Sequence, residues 1–174
     1  KAYFYTGEFE WAKTQLDVLK ASTTKLIAND ALQLSVLISD NLGMDTSTAA
    51  LKVYALADLY KFQNNDSLAI LACNNVLDSF PKNLTLLDDA YFMKAKIYAK
   101  NRKWDLALES YQKAVDYKDL LKDDALFEMG LIYQNILNAP EKAIKCFEEI
   151  VLDHQDSFYS VDARKHYRTL RGDF

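Results

Sequence analysis

His154, His166, Cys73 and Cys146 are the side chains of this 174-residue chain best suited to metal binding or nucleophilic attack. The histidines stand too far apart for a local zinc pair, and the cysteines lack the Cys-x-x-Cys spacing of a structural zinc site. A Cys146/His154 dyad can be drawn, because a thiol activated by an imidazole is a competent nucleophile. Cys146, however, falls on one helical stripe with Ile150, and Cys73 occupies the equivalent place in an earlier copy of the same pattern. A free cysteine on such a stripe acts as a small buried hydrophobe. Two of them in non-adjacent copies lie too far apart to bridge, so they are expected to be reduced core residues.

Carboxylates and cations give equally ordinary readings. Asp88-Asp89, Asp123-Asp124 and Glu148-Glu149 are adjacent pairs, and neighbours on a helix diverge by about 100°, which does not pair them for acid/base work. The first two pairs are expected in first helical turns, where negative charge complements the helix dipole. Four scattered glycines make no phosphate-cradling loop. Near the end, Arg164, Lys165, His166, Arg168 and Arg171 form a basic cluster that can touch phosphate or anionic lipid, or simply be a solvated helix face. A net charge of −4 and a pI near 5.2 leave no electrostatic footprint for nucleic acid. No apolar run reaches the ~18 residues of a membrane span. No cofactor is called for. The chain opens at Lys1 without a Met or a targeting segment, which suggests a piece of a longer or processed protein.

The elements that must position these residues are helices. Half of the residues are apolar, and with only four Gly and two Pro the chain favours long helices with short turns. The expected helices are a stub at 1–6 that turns at Gly7, then Glu8–Ala21, Ala28–Leu42 stopped by Gly43, and one capped by Asp45-Thr46-Ser47 that ends near Phe62. Asn64-Asn65-Asp66 opens the next, which runs to Phe80 before Pro81. Leu87–Lys100, Lys103–Tyr117, Leu121–Ile136 and Pro140–Leu152 follow, and Ser157 caps a last helix to Leu170. Leu87, Ala90, Tyr91, Ala95 and Tyr98 keep the i, i+3, i+4 rhythm, without strand alternation.

A phrase also recurs: Ala55-Leu-Ala-Asp-Leu-Tyr60, Met93-Lys-Ala-Lys-Ile-Tyr98 and Met129-Gly-Leu-Ile-Tyr133. Each is followed by a small residue, Ala69, Ala107 and Ala143, 38 and 36 residues apart. Self-similarity at this period, with two helices per unit, implies a solenoid whose units must stack to bury their apolar faces. Ala57, Ala95 and Gly130 on first helices, and Ala69, Ala107 and Ala143 on second helices, mark the close approach within each pair.

These positions resemble the tetratricopeptide repeat. The third copy matches with Tyr91, Ala95, Tyr98, Trp104, Ala107, Tyr111 and Ala114, and the fourth with Leu126, Gly130, Tyr133, Ala143, Phe147 and Ile150. The second matches with Val53, Ala57, Tyr60, Ala69, Cys73, Val76 and Pro81. Tyr3, Gly7, Phe9 and Ala12 resemble the back half of a truncated first repeat. The fourth copy carries one extra residue between Tyr133 and Ala143, Asp119 and Gln155 replace the unit-ending Pro, and Ala28–Leu42 has no partner helix of its own. The resemblance implies an all-α, right-handed superhelical solenoid of antiparallel helix hairpins. It comprises a truncated first repeat with irregular helices over 1–49, repeats at about 50–83, 88–121 and 123–156, and a capping helix and tail over 157–174, read as one continuous domain. Phe158, Val161, Ala163, Tyr167 and Leu170 supply a stripe to seal its end. Phe80-Pro81-Lys82-Asn83 and Asp156-Ser157…Asp162-Ala163-Arg164-Lys165 are similar to bacterial cell-envelope members of the superfamily, the periplasmic Tol-associated coordinator and BamD. That likeness points to the periplasm or the outer membrane, with the cytoplasm as the alternative.

The resemblance also implies a concave face lined by first helices. Tyr54, Phe92 and Phe127 occupy its leading position, Leu51, Asp89 and Asp124 precede them, and Asp58, Lys96 and Leu131 follow one turn on, with Phe62, Lys100 and Asn135 beyond. A row of aromatics among mixed charges suits a peptide; equally, the rings can fill the seam between neighbouring repeats. The expected function is non-catalytic protein or peptide binding. A regulatory or substrate-recruiting module of an enzyme or envelope-assembly complex, and an architectural or self-association module, are the alternatives.

Overall fold

The computed structural model describes residues 1–22, 25–42, 47–117 and 121–173, with the side chains of 21–30 and 47 excepted. Among these residues there are ten helices and no strand. They form two compact units, Lys1–Ala90 and Tyr91–Phe174.

In the first unit, α1 (Ala2–Tyr5) turns into α2 (Phe9–Ser22) at Gly7, whose φ of 83° suits a residue without a Cβ. α3 (Lys25–Asn41) packs on α2, and α4 (Ser47–Phe62) packs on α5 (Asp66–Ser79). The pairing of α3 with α2 corrects the expectation that this helix lacks a partner. Ala12 and Leu16 on α2, with Ala31, Ser35 and Ile38 on α3, are all buried, and Ser35 Oγ donates to Asp17 at 3.2 Å. The expected cap residues Gly43, Asp45 and Thr46, and the Ser47 side chain, lie outside the described residues.

α6 (Leu84–Lys100) begins one turn earlier than expected. Asn83 and Thr85 both donate to the buried side chain of Asn41, at 3.0 and 3.1 Å, and so tie the helix start to α3. As a result Asp88 and Asp89 fall in the second turn, not the first, and Asp88 is buried. Asp123 and Asp124 do lie in the first turn of α8.

In the second unit, α7 (Trp104–Asp116), α8 (Lys122–Asn135), α9 (Pro140–Asp153) and α10 (Ser160–Arg171) share one core with the C-terminal half of α6. Ala95, Ala107 and Ala143 have no exposed surface. At Gly130 a Cβ would stand 2.6 Å from the Phe147 ring, so the absence of a side chain is what lets α9 approach α8. Asp119 lies outside the described residues.

The turns inside three helix pairs share one device. Asn64, Arg102 and Asn138 each take a left-handed φ (57°, 57° and 48°) two residues before the next helix. Asn65 N donates to Tyr60 O and Lys103 N to Tyr98 O, both at 2.9 Å, which are the six-to-one bonds of a Schellman ending. In the third turn Ala139 N reaches Tyr133 O at 2.8 Å, one residue further back, and this is where the extra residue of the fourth copy is absorbed.

The C-terminal helix differs from expectation at its start. Ser157 Oγ accepts from Tyr159 N at 3.0 Å and makes a local turn, and the helix N-cap is Tyr159. The sealing stripe is also shorter than expected. Ala163, Tyr167 and Leu170 pack into the core, whereas Phe158 and Val161 are 88% and 75% exposed.

Candidate protein-binding face

α6 and α8 carry the expected face residues of the second unit at four-residue spacing, which places them on one side of each helix. On α6, Phe92 is half-buried with its edge against the Tyr111 ring, centroids 5.6 Å apart. Lys96 Nζ lies 5.5 Å from the Phe92 centroid and 3.9 Å from Glu128 Oε1 of α8. Lys96 and Lys100 are exposed. Ring, cation and carboxylate therefore meet at the surface, where the ion pair itself contributes little to stability.

Asp124 and Phe127 are held from the other side by α10. Phe127 stacks on Tyr159 at 4.5 Å and meets Phe147 and His166 edge-on, at 5.8 and 6.0 Å. The Tyr159 hydroxyl donates to Asp124 Oδ1 at 3.1 Å, and His166 Nδ1 lies 2.9 Å from Gln134 Oε1. Desolvation beside Asp123 raises the Asp124 carboxyl to about 6, against the opposing pull of the Tyr159 hydrogen bond and Lys96. Phe127 is thus half-buried under the last helix, a seam position that still shows an edge to solvent. Leu131 is half-buried against the core, and Asn135 is exposed at the helix end.

In the first unit the face residues are more enclosed. Leu51 has no exposed surface, Tyr54 only 9%, and burial near Asp89 and Asp58 drives the Tyr54 hydroxyl upward in pKa. Asp58 accepts from Tyr5 Oη at 3.0 Å and Lys1 Nζ at 3.1 Å, and Asp89 is half-buried. Phe62 is 73% exposed, its ring 6.4 Å from that of Tyr5.

Sequence reasoning missed Glu128 and Tyr159. Glu128 lies one turn after Asp124, and that spacing could have found it. Tyr159 carries no such signal, because its role depends on how α10 folds back.

The candidate nucleophiles are in the core. Neither Cys73 nor Cys146 is in a disulfide and both are buried, and desolvation with nearby Glu149 pushes the Cys146 thiol up to about 11, so it stays protonated at neutral pH. His154 Nε2 is buried and has no hydrogen-bond partner among the described residues. Among the described residues no three His, Cys, Asp or Glu side chains cluster to hold a metal, and no helix is long and apolar enough to cross a membrane.

Two segments match the tetratricopeptide repeat family, residues 88–119 and 124–157, together less than half of the chain. No curated protein and no solved structure matches. The first segment spans most of α6 with α7, and the second spans most of α8 with α9 and the turn beyond. By sequence and by all-α fold alike, residues 88–119 and 124–157 are tetratricopeptide-repeat-like helix pairs, and that is the family to which this chain is similar.

Proposed function

We propose that the chain is a non-catalytic scaffold that binds a protein or peptide, with the α6–α8 face of the second unit as its docking surface. Two successive tetratricopeptide-like pairs carry this reading, because repeats of this kind are protein–protein interaction modules. Phe92 supplies a ring already fixed by Tyr111, and Lys96, Glu128 and Asp124 supply charges of both signs around it. A rigid aromatic set in a polar rim is the usual make-up of an interface hot spot. Lys100, Leu131 and Asn135 extend the face along the same two helices, and Phe127 contributes its exposed edge. In the first unit, Phe62 and Asp58 form a smaller contact region of the same chemistry. The likeness of 80–83 and 156–165 to cell-envelope proteins extends the proposal to a bacterial envelope partner.

A photo-crosslinking residue at Lys96, compared with one at Lys113 on the exposed side of α7, tests the proposal in native extract. A discrete adduct from position 96 and none from 113 is the expected outcome. Adducts of equal yield at both positions would overturn it. A catalytic protein in the adduct would favour the regulatory-module reading, and a homodimer the self-association reading.

A further inference from the structure

The basic cluster of the last helix divides into two groups. His166 stacks on Phe147 at 5.0 Å, and Arg171 is engaged by the Tyr167 hydroxyl at 2.7 Å and by Asp173 at 3.3 Å. Arg164, Lys165 and Arg168 point away from the core, and among the described residues none of them is in an ion pair. At about 100° per residue, Val161, Arg164, Lys165 and Arg168 occupy an arc of roughly 100°. Val161 is 75% exposed, and Phe158, at the N-terminal end of this face, is 88% exposed.

Phe158 adjoins the aromatic cluster of the second unit. Its ring meets Tyr159 edge-on at 5.4 Å, and Tyr159 stacks on Phe127, so the exposed ring ends a chain of aromatic contacts anchored in the core. An exposed ring beside such a cluster is suited to anchor a partner. The chain as a whole carries net charge −4, which makes a face of three outward cations locally opposite in sign.

We propose that the outward face of α10 docks an acidic amphipathic helix of a partner protein. Such a helix would place an apolar pair against Phe158 and Val161, and carboxylates at three- and four-residue spacing along Arg164, Lys165 and Arg168. From Val161 to Arg168 the face is about 10 Å long, so two turns of partner helix cover it. Charge complementarity selects the acidic partner, and the apolar knob at one end sets its direction. Three cations and one ring fall short of the four to eight basic residues of a lipid-binding cluster, which favours a protein over a membrane.

The test uses the full chain and a fluorescein-labelled helical peptide of about 14 residues, with two leucines at one end and glutamates at three- and four-residue spacing. Its counterpart has every glutamate replaced by glutamine. The expected result is saturable binding of the glutamate peptide, at least tenfold weaker for the glutamine form, weakened by salt, and at least tenfold weaker for both Phe158→Ser and the Lys165→Glu/Arg168→Glu double variant. Because these side chains are exposed, the variants should melt as the wild type does, which separates lost docking from lost fold. Binding of the two peptides within twofold of each other, or variants that bind like the wild type, would overturn the proposal. It would be overturned equally by anionic phosphatidylglycerol vesicles that retain the wild type in the peptide's place, or by a dimer of this chain lost in the variants. None of these residues belongs to the α6–α8 face, so failure here leaves that face untouched.

Discussion

The helix pairs α2–α3 and α8–α9 are both held by buried small residues, yet only the second is recognisable as a tetratricopeptide repeat. In α8–α9 the contact is a glycine directly beneath an aromatic ring, Gly130 under Phe147, with Ala143 fully buried nearby. In α2–α3 the interior includes a polar group: Ser35 is buried and donates to Asp17. One pair is set by shape and the other partly by hydrogen bonds. Shape leaves a residue signature at fixed spacing, whereas a hydrogen bond can be made by many residue types and leaves none.

The largest expected effect breaks the shape-set pair. Gly130→Leu drives a side chain into the Phe147 ring and should destabilise by about 3 kcal/mol or more, and Ala107→Leu by about 2–3 kcal/mol. Lys113→Leu, on the exposed side of α7, should be nearly neutral in chemical denaturation. Losses at Lys113 equal to those at Gly130 would mean that the wrong face is buried.

A smaller effect tests the hydrogen-bonded pair. Ser35→Ala should cost about 1 kcal/mol, because Asp17 is exposed and keeps Lys20 at 2.7 Å after its serine partner is gone. A loss above about 3 kcal/mol would show that α2–α3 depends on this bond as strongly as α8–α9 depends on packing.

Titration sharpens the comparison from another side. The folded-state carboxyl of Asp124 is raised to about 6, from 3.8 for an ordinary aspartate, so the folded chain holds this proton more tightly than the unfolded chain. Its contribution to stability is therefore greatest below about pH 4 and declines as pH rises through 6. Asp124→Asn should then stabilise the chain by about 1 kcal/mol at pH 7.5, a gap that closes near pH 4. A variant less stable than the wild type at pH 7.5 would mean that the ionised carboxylate is favoured by Lys96 and the helix N-terminus more than burial opposes it.

The sequence made the helices legible throughout and their pairing legible from α4 onward, because Ala57, Ala69, Ala95, Ala107, Gly130 and Ala143 recur at spacings that paired helices explain. The α2–α3 pair was hidden for the reason given above. The starts of α6 and α10 were displaced because Asn83 and Thr85 bind a side chain about forty residues away, and because Ser157 bonds within a turn. Such choices depend on tertiary partners. The same limit applies to the face. Phe92 and Lys96 could be placed by register alone, but the cover of Tyr159 and His166 over Phe127, and the enclosure of Leu51 and Tyr54, follow from packing.

The most direct test of the account is Phe92→Ala, measured at once for thermal unfolding and for affinity toward the partner crosslinked at position 96. Phe92 is half-buried and touches Tyr111 by its edge, so the loss of stability should be modest while affinity falls about tenfold, near 1.4 kcal/mol. A loss of 3 kcal/mol or more in stability, with unchanged affinity in the fraction that remains folded, would contradict the account and make Phe92 a seam residue.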